Sequence, residues 1–202
     1  MAIESKVRLV ERLFDNLEIE INTFKSKIHL ECLSGCGKCC TTPSIDASPL
    51  EFFPWAFYLF LNGKAEEILH ELKINKQTNC LIYKPVILVG SDNGSCNSYQ
   101  YRGLICRLFG YAASRDQFGK LRLITCKIIK QNQVESYNNT VEAISKGLYV
   151  PIFSNYYMQL AQIDLRLGTT KVPINQALKI AIEEVLQYYA YRPFPGGIEN
   201  SA

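Results

Sequence analysis

Val7, Val10, Leu13, Phe14, Leu17, Ile21, Phe24 and Ile28 recur at steps of three and four, with charged and polar residues between them. That spacing lays one apolar stripe along a helix and predicts a long amphipathic helix over residues 3–31. Its end is expected near Ser34–Gly35, where glycine permits the left-handed turn that closes many helices. A second helix start is written in Ser48-Pro49-Leu50-Glu51. Serine as N-cap, proline as first helical residue and glutamate three on from the cap form a capping box. This helix carries Phe52, Phe53, Trp55, Ala56, Tyr58, Leu59 and Phe60 and pauses at Asn62-Gly63; another runs from about Ala65 to Lys73 with Ile68, Leu69 and Leu72.

From Cys80 to about Lys127 the pattern changes to short apolar runs, among them Leu81 to Tyr83 and Val86 to Val89, broken at Ser91-Asp92-Asn93-Gly94. Leu108 to Ala112 and Lys120 to Thr125 flank Arg115-Asp116-Gln117-Phe118-Gly119 as a hairpin would. Helical periodicity returns in pieces around 128–147, 152–166 and 174–191. The expectation is a mainly α fold with short irregular β pieces, arranged as a single domain over residues 1–191. Its cysteine-cluster core would span about 30–127 and its helical C-terminal part 128–191. The proline- and glycine-containing tail, 192–202, is expected to be flexible.

Composition narrows the class. With 202 residues, 48% hydrophobic and 20% charged, the chain can bury a real core and is not a disordered polymer. A net charge of +3 without any Lys/Arg block leaves no electrostatic footprint for nucleic acid. The longest apolar run, Phe52 to Leu61, contains Pro54 and falls short of the roughly 20 residues that span a bilayer, so no membrane partner is expected. Met1 to Phe14 alternates charged and apolar residues and lacks the apolar core of a secretory signal, which points to the cytoplasm.

A reducing cytoplasm decides how the eight cysteines are read: Cys32, Cys36, Cys39, Cys40, Cys80, Cys96, Cys106 and Cys126. In a secreted chain they would suggest disulfides, whereas here they suggest metal or redox chemistry. Half of them lie within Cys32-Leu33-Ser34-Gly35-Cys36-Gly37-Lys38-Cys39-Cys40. Thiolates are soft donors that favour zinc, copper(I) and iron–sulfur clusters, and the glycines let the backbone bend so that sulfurs converge. The metal supplies the charge that assembled thiolates require. Adjacent Cys39 and Cys40 diverge, so one can serve a second centre. The long-range partners are Cys80, Cys96, Cys106 and Cys126. Eight thiols can build two Cys₄ zinc sites, one [4Fe-4S] cluster with spare cysteines, or a two-metal site, and spacing does not choose.

Other signals are weaker. His29 stands three residues before Cys32 and could share its helix face, but thiols are already in excess. His70 sits among glutamates as a solvent-facing residue. The aromatic run from Phe52 to Phe60 reads as core beside a metal site rather than as a partner groove. Cys32-x3-Cys36-x2-Cys39 has the spacing of the radical S-adenosylmethionine iron–sulfur motif, yet the alternating βα pattern of such a barrel is missing and Lys38 replaces the usual aromatic. No Ser/His/Asp set, paired carboxylates or phosphate loop stands out, and no catalytic residue is identified.

The sequence resembles the CxxCxxCC zinc- or iron-chelating family, the YkgJ-like cysteine-cluster proteins, which is related to a flagellin lysine N-methylase. The residues that carry the resemblance are Cys36, Cys39 and Cys40, then Ser48 to Glu51, then Cys96, Tyr99, Arg102, Cys106, Arg107 and Phe109. They match a family stretch of the form C-x-x-Y-x-x-R-P-x-x-C-R-x-F-P. The match covers about residues 30 to 127. Gly103 and Gly110 stand where the family has proline, and the first cysteine spacing is three residues instead of two. The resemblance implies that Arg102 and Arg107 stabilise a negatively charged metal–thiolate centre from just outside it.

The expectation is therefore a protein that binds zinc or iron through eight cysteines, with an iron–sulfur centre included. The alternative is an iron–sulfur enzyme or electron carrier linked to protein lysine N-methylation, against which stands the lack of a glycine-rich S-adenosylmethionine loop after a strand. The metal ion is the expected partner, and a protein partner or protein substrate stays open.

Overall fold

The computed structural model describes residues 1–32, 36–42, 45–74, 77–85 and 94–195. Helix α1 spans Ile3–Lys25 and buries Val7, Val10, Leu13, Phe14, Leu17, Ile21 and Phe24 along the anticipated stripe. It ends at Lys25, not at residue 31. Thr23 Oγ1 donates to the Ile19 carbonyl and Ser26 Oγ to the Thr23 carbonyl, each at 2.9 Å, and the last amides tighten into a turn. Beyond it Ile28 and Leu30 are buried while Lys27, His29 and Glu31 are exposed. That alternation of period two belongs to extended chain, so Ile28 is not part of the helical stripe.

The capping pair at Ser48 and Glu51 is made, but it opens a 3-10 turn over Pro49–Phe52 rather than an α-helix. Pro54 has no amide to give the Leu50 carbonyl, so the regular helix α2 begins only at Phe53 and runs to Leu61. Gly63, with φ of 65°, turns the chain into α3, Ala65–Ile74. Later come α4 (Leu104–Leu108), α5 (Lys127–Asn132), α6 (Val134–Ser145), α7 (Phe153–Ile163), α8 (Leu165–Thr169) and α9 (Ile174–Tyr189).

Strands are short and pair antiparallel: β1 (Asp46–Ala47) with β6 (Val172–Pro173), β2 (Tyr83–Pro85) with β3 (Gly94–Cys96), and β4 (Ala112–Arg115) with β5 (Leu121–Ile124). The fold is mainly α, as expected. The expected hairpin forms as β4–β5, but its first arm is Ala112–Arg115 and not Leu108–Ala112, because Leu108 ends α4. The β1–β6 pair, the 3-10 turn at Tyr99–Tyr101 and helix α4 were not anticipated, because each is too short to leave a period in the sequence. The expected helix end at Ser34–Gly35, the Val86–Val89 run and most of the Ser91–Gly94 turn lie outside the described residues.

Two apolar cores result. The larger is built by α1, α2, α7 and α9 with the Pro49–Phe52 turn; Val10, Leu17, Phe52, Phe53, Leu178 and Ile182 are almost fully enclosed there. Each such side chain contributes about 1.5–3 kcal/mol of apolar burial. The smaller core gathers Phe24, Ile28, Leu30, Ala113, Leu123, Ile129, Ile144 and Val150, and Tyr111 packs against both. The aromatic run is core only in its first half: Phe52, Phe53 and Trp55 are buried, whereas Phe57 and Phe60 are half-buried, with Phe60 stacked on Tyr189 at 4.6 Å, and Tyr58 is exposed. At the start of the tail Phe194 lies 5.2 Å from the Phe60 ring and Arg192 donates to the Tyr188 carbonyl. Among the described residues, no helix is long and apolar enough to cross a membrane.

Candidate metal centre

The cysteines are delivered by separate pieces of local structure. Gly37, at φ of 57°, reverses the chain into a 3-10 turn over Lys38–Thr41 that carries Cys39 and Cys40. Glycine is required there twice over. A Cβ at residue 37 would also lie 2.5 Å from the Gly94 carbonyl oxygen and 2.6 Å from the Tyr83 ring. The cysteine turn is thus pressed directly against the β2–β3 hairpin, which presents Cys96 opposite Tyr83.

Cys80 enters just before that hairpin. Its amide donates to the Cys40 carbonyl at 3.2 Å, and its own carbonyl accepts from Tyr83. Asn175, at the start of α9, clamps this segment by accepting from the Leu81 amide and donating to the Asn79 carbonyl, at 2.9 and 2.8 Å. Cys106 rides on α4, whose first turn is held by Glu51: Oε2 accepts from the Ile105 amide at 2.7 Å.

The remaining thiols belong to the other side of the chain. Cys126 is the N-cap of α5, its Sγ accepting from the Ile129 amide at 3.3 Å. The extended segment after α1 is brought alongside by Glu31 and Gln133, which exchange two hydrogen bonds at 3.0 and 2.7 Å. The Cys32 amide then donates to the Tyr111 hydroxyl at 3.0 Å.

Cys80 is buried, Cys32 and Cys39 are exposed, and the other five are half-buried; no disulfide joins any of them. Electrostatic influence follows the same geography. Burial pushes the Cys80 thiol up to about 11 and raises Cys96 and Cys106, with neighbouring thiols adding to each. Cys40 is raised by its hydrogen bond with Cys39 and by burial. Cys39 is lowered, first by the Cys40 thiol hydrogen bond, against burial, and also by nearby backbone amides and the charge of Arg102. Burial raises Cys32, with Cys36, Cys39 and Cys126 as its thiol neighbours. Among the described residues, no three His, Cys, Asp or Glu side chains converge on one point that could hold an ion. The sulfurs gather in a region rather than around a centre.

Arg102 and Arg107 both pair with Glu18 on α1, at 3.3 and 3.6 Å. Their remaining donors differ. Arg107 gives its hydrogen bonds to the Arg102 and Gln100 carbonyls and packs on Phe14, so it builds the loop before α4. Arg102 lies over the Tyr99 ring, and its Nε is buried with no partner. A buried N–H beside thiols is the donor that a metal-bound thiolate would accept from, so the surroundings fit a charged thiolate centre. His29 and His70 are exposed.

Glu18, Tyr111, Gln133 and Asn175 carry no sequence signal for their part in this region, because each acts by one long-range contact. Glu51 was visible only as a helix-start glutamate. Enclosed completely, it is raised by burial against hydrogen bonds from Ser48, Ile105 and Tyr157.

No curated protein and no solved structure matches the chain. The model of one family, described as "Putative zinc- or iron-chelating domain", matches residues 31–138. That stretch is more than half of the 202 residues, holds all eight cysteines and runs beyond the expected limit of 127 into α6. The chain belongs to the CxxCxxCC family.

Proposed function

We propose that the protein chelates zinc or iron through its eight cysteines. The observation that carries this reading is the packing of Cys40, Cys80, Cys96 and Cys106 against one core, with the orphaned Arg102 Nε at its edge. Four thiols of which the best-buried resist ionisation are a poor arrangement for an empty protein. A soft cation would reverse the cost, because coordinated thiols lose their protons and the shared negative charge is compensated. Arg102 would donate to a coordinated sulfur, and Arg107 would hold the loop that presents Arg102 and Cys106. When bound, the metal supplies cross-linking of four distant segments, which is folding free energy as well as binding.

An iron–sulfur enzyme or electron carrier, linked to protein lysine N-methylation, is the second reading. The exposure of Cys32 and Cys39 favours it, since exchange with a partner or substrate needs an accessible centre. Metal content, acid-labile sulfide and the visible spectrum of protein purified without air test both. Zinc in a colourless protein supports a chelating or structural role, and iron with matching sulfide supports the second reading. Neither metal at any stoichiometry would end the proposal.

A further inference from the structure

We infer that the eight cysteines form two centres of unequal accessibility: an inner set of Cys40, Cys80, Cys96 and Cys106, and an outer set of Cys32, Cys36, Cys39 and Cys126. This rests on the chelating reading above and divides its ligands. The division follows the two cores. All four inner cysteines pack against the larger core, whereas Cys126 packs against the smaller one. The Cys32 amide is hydrogen-bonded to Tyr111, the residue that packs against both cores, and the Glu31–Gln133 exchange sets Cys32 beside the α5 end of the chain. Cys36, Cys39 and Cys126 are the thiol neighbours of Cys32.

Cys39 is the thiol between the sets, acting on Cys32 on one side and on the inner four on the other. It belongs to the outer set on two grounds. The inner set already has four sulfurs, which completes a structural zinc site. Cys39 is also exposed and takes no part in the larger core, unlike its neighbour Cys40. The vicinal pair thus splits, one thiol to each centre. The inner centre ties the cysteine turn, the β2–β3 hairpin and α4 into the main core. The outer centre pins the chain after α1 to the N-terminus of α5, and two of its cysteines, Cys32 and Cys39, are exposed residues.

The test uses the reduced full-length chain stripped of metal and titrated with Zn²⁺ alone under argon, followed by withdrawal with a chromophoric chelator. Two zinc ions per chain are expected, one withdrawn at least about tenfold faster than the other. Cys126→Ser should leave one ion, the slow one, with the main melting transition retained. Cys32→Ser, an exposed position, should do the same and serves if Cys126→Ser does not fold. Cys39→Ser should also keep the slow ion, and Co²⁺ in place of Zn²⁺ should then show one thiolate charge-transfer band of reduced intensity. One ion per chain, withdrawal in a single phase, or loss of both ions in Cys39→Ser overturns the two-centre division while leaving chelation standing. No zinc taken up at all overturns chelation itself.

Discussion

Glu51 Oε2 accepts the Ile105 amide at 2.7 Å while its Oε1 accepts the Ser48 amide at 2.6 Å, so one buried carboxylate joins the turn after the cysteine cluster to the helix that carries Cys106. Tyr157 donates to the same Oε1 at 3.3 Å. Glu51→Gln keeps one carbonyl oxygen and turns an amide NH₂ toward the other backbone donor. Glu51→Ala leaves both amides without a partner. Either change should destabilise the fold by about 2–4 kcal/mol, read from urea unfolding midpoints. Metal retention should fall with it, because α4 loses its anchor. Unchanged stability in both variants would show that the carboxylate is not the link described.

Gly103 and Gly110 replace two prolines of the resembled pattern for different reasons. At Gly110, φ is 99°, which a proline ring cannot adopt. At Gly103, φ is −66°, well suited to proline, but a Cβ there would lie 2.7 Å from Glu51 Oε2 and 2.7 Å from the Phe52 ring. Close packing, not backbone conformation, excludes a side chain. Gly103→Ala should therefore cost about 1–3 kcal/mol by overpacking despite its favourable φ. A thermal melt equal to the parent's would refute the crowding argument.

The legible parts of this chain are those with a repeating period or a dense motif. The α1 stripe, the capping pair at Ser48 and Glu51, the Phe52–Ala56 core run and the β4–β5 hairpin each announce themselves over several residues. What stayed hidden depends on single contacts across the fold. Nothing local in Asn175 marks it as the clamp on the Cys80 segment, and nothing in Gln133 marks it as the tether of residue 31. The early end of α1 was misread because Ile28 satisfies both a helical step from Phe24 and an alternating step to Leu30. Tertiary packing decided between them. The cysteine positions were plain from the sequence, but that Cys40, Cys80, Cys96 and Cys106 pack against the larger core and Cys126 against the smaller needed the chain's path.

Gly37→Ala tests the contact between the cysteine turn and the β2–β3 hairpin. The left-handed φ alone costs an alanine about 1–2 kcal/mol. The Gly94 carbonyl 2.5 Å from the new methyl is backbone, which cannot swing aside like a side chain. The combined loss should exceed about 2 kcal/mol. Because the same shift separates Cys39 and Cys40 from Cys96, metal content should drop more than it does in a surface variant of equal stability. Stability lost with metal content preserved would place the hairpin outside the centre.

Asp164 offers a pH test well away from the thiols. Its carboxylate caps α8 by accepting the Leu167 amide at 2.9 Å and pairs with Lys6 of α1 at 2.6 Å, with both side chains largely shielded. Burial is the largest influence on its pKa and acts upward. The Leu167 and Lys6 hydrogen bonds and the charges of Lys6 and Arg166 together outweigh it, so the folded pKa lies below the ordinary aspartate value. The native state then binds this proton less readily than the unfolded chain. The stabilisation is fully present above the unfolded pKa of about 3.9 and is lost as pH falls through the lower folded value. Asp164→Asn keeps a capping oxygen but gives up the ion pair, and should cost about 1–2 kcal/mol at neutral pH. The gap between parent and variant should close by about pH 2, where the parent's carboxylate is itself protonated. Unfolding midpoints measured across that range check both the sign and the window. A gap that stayed constant into acid would mean that packing, not charge, holds α1 to α8.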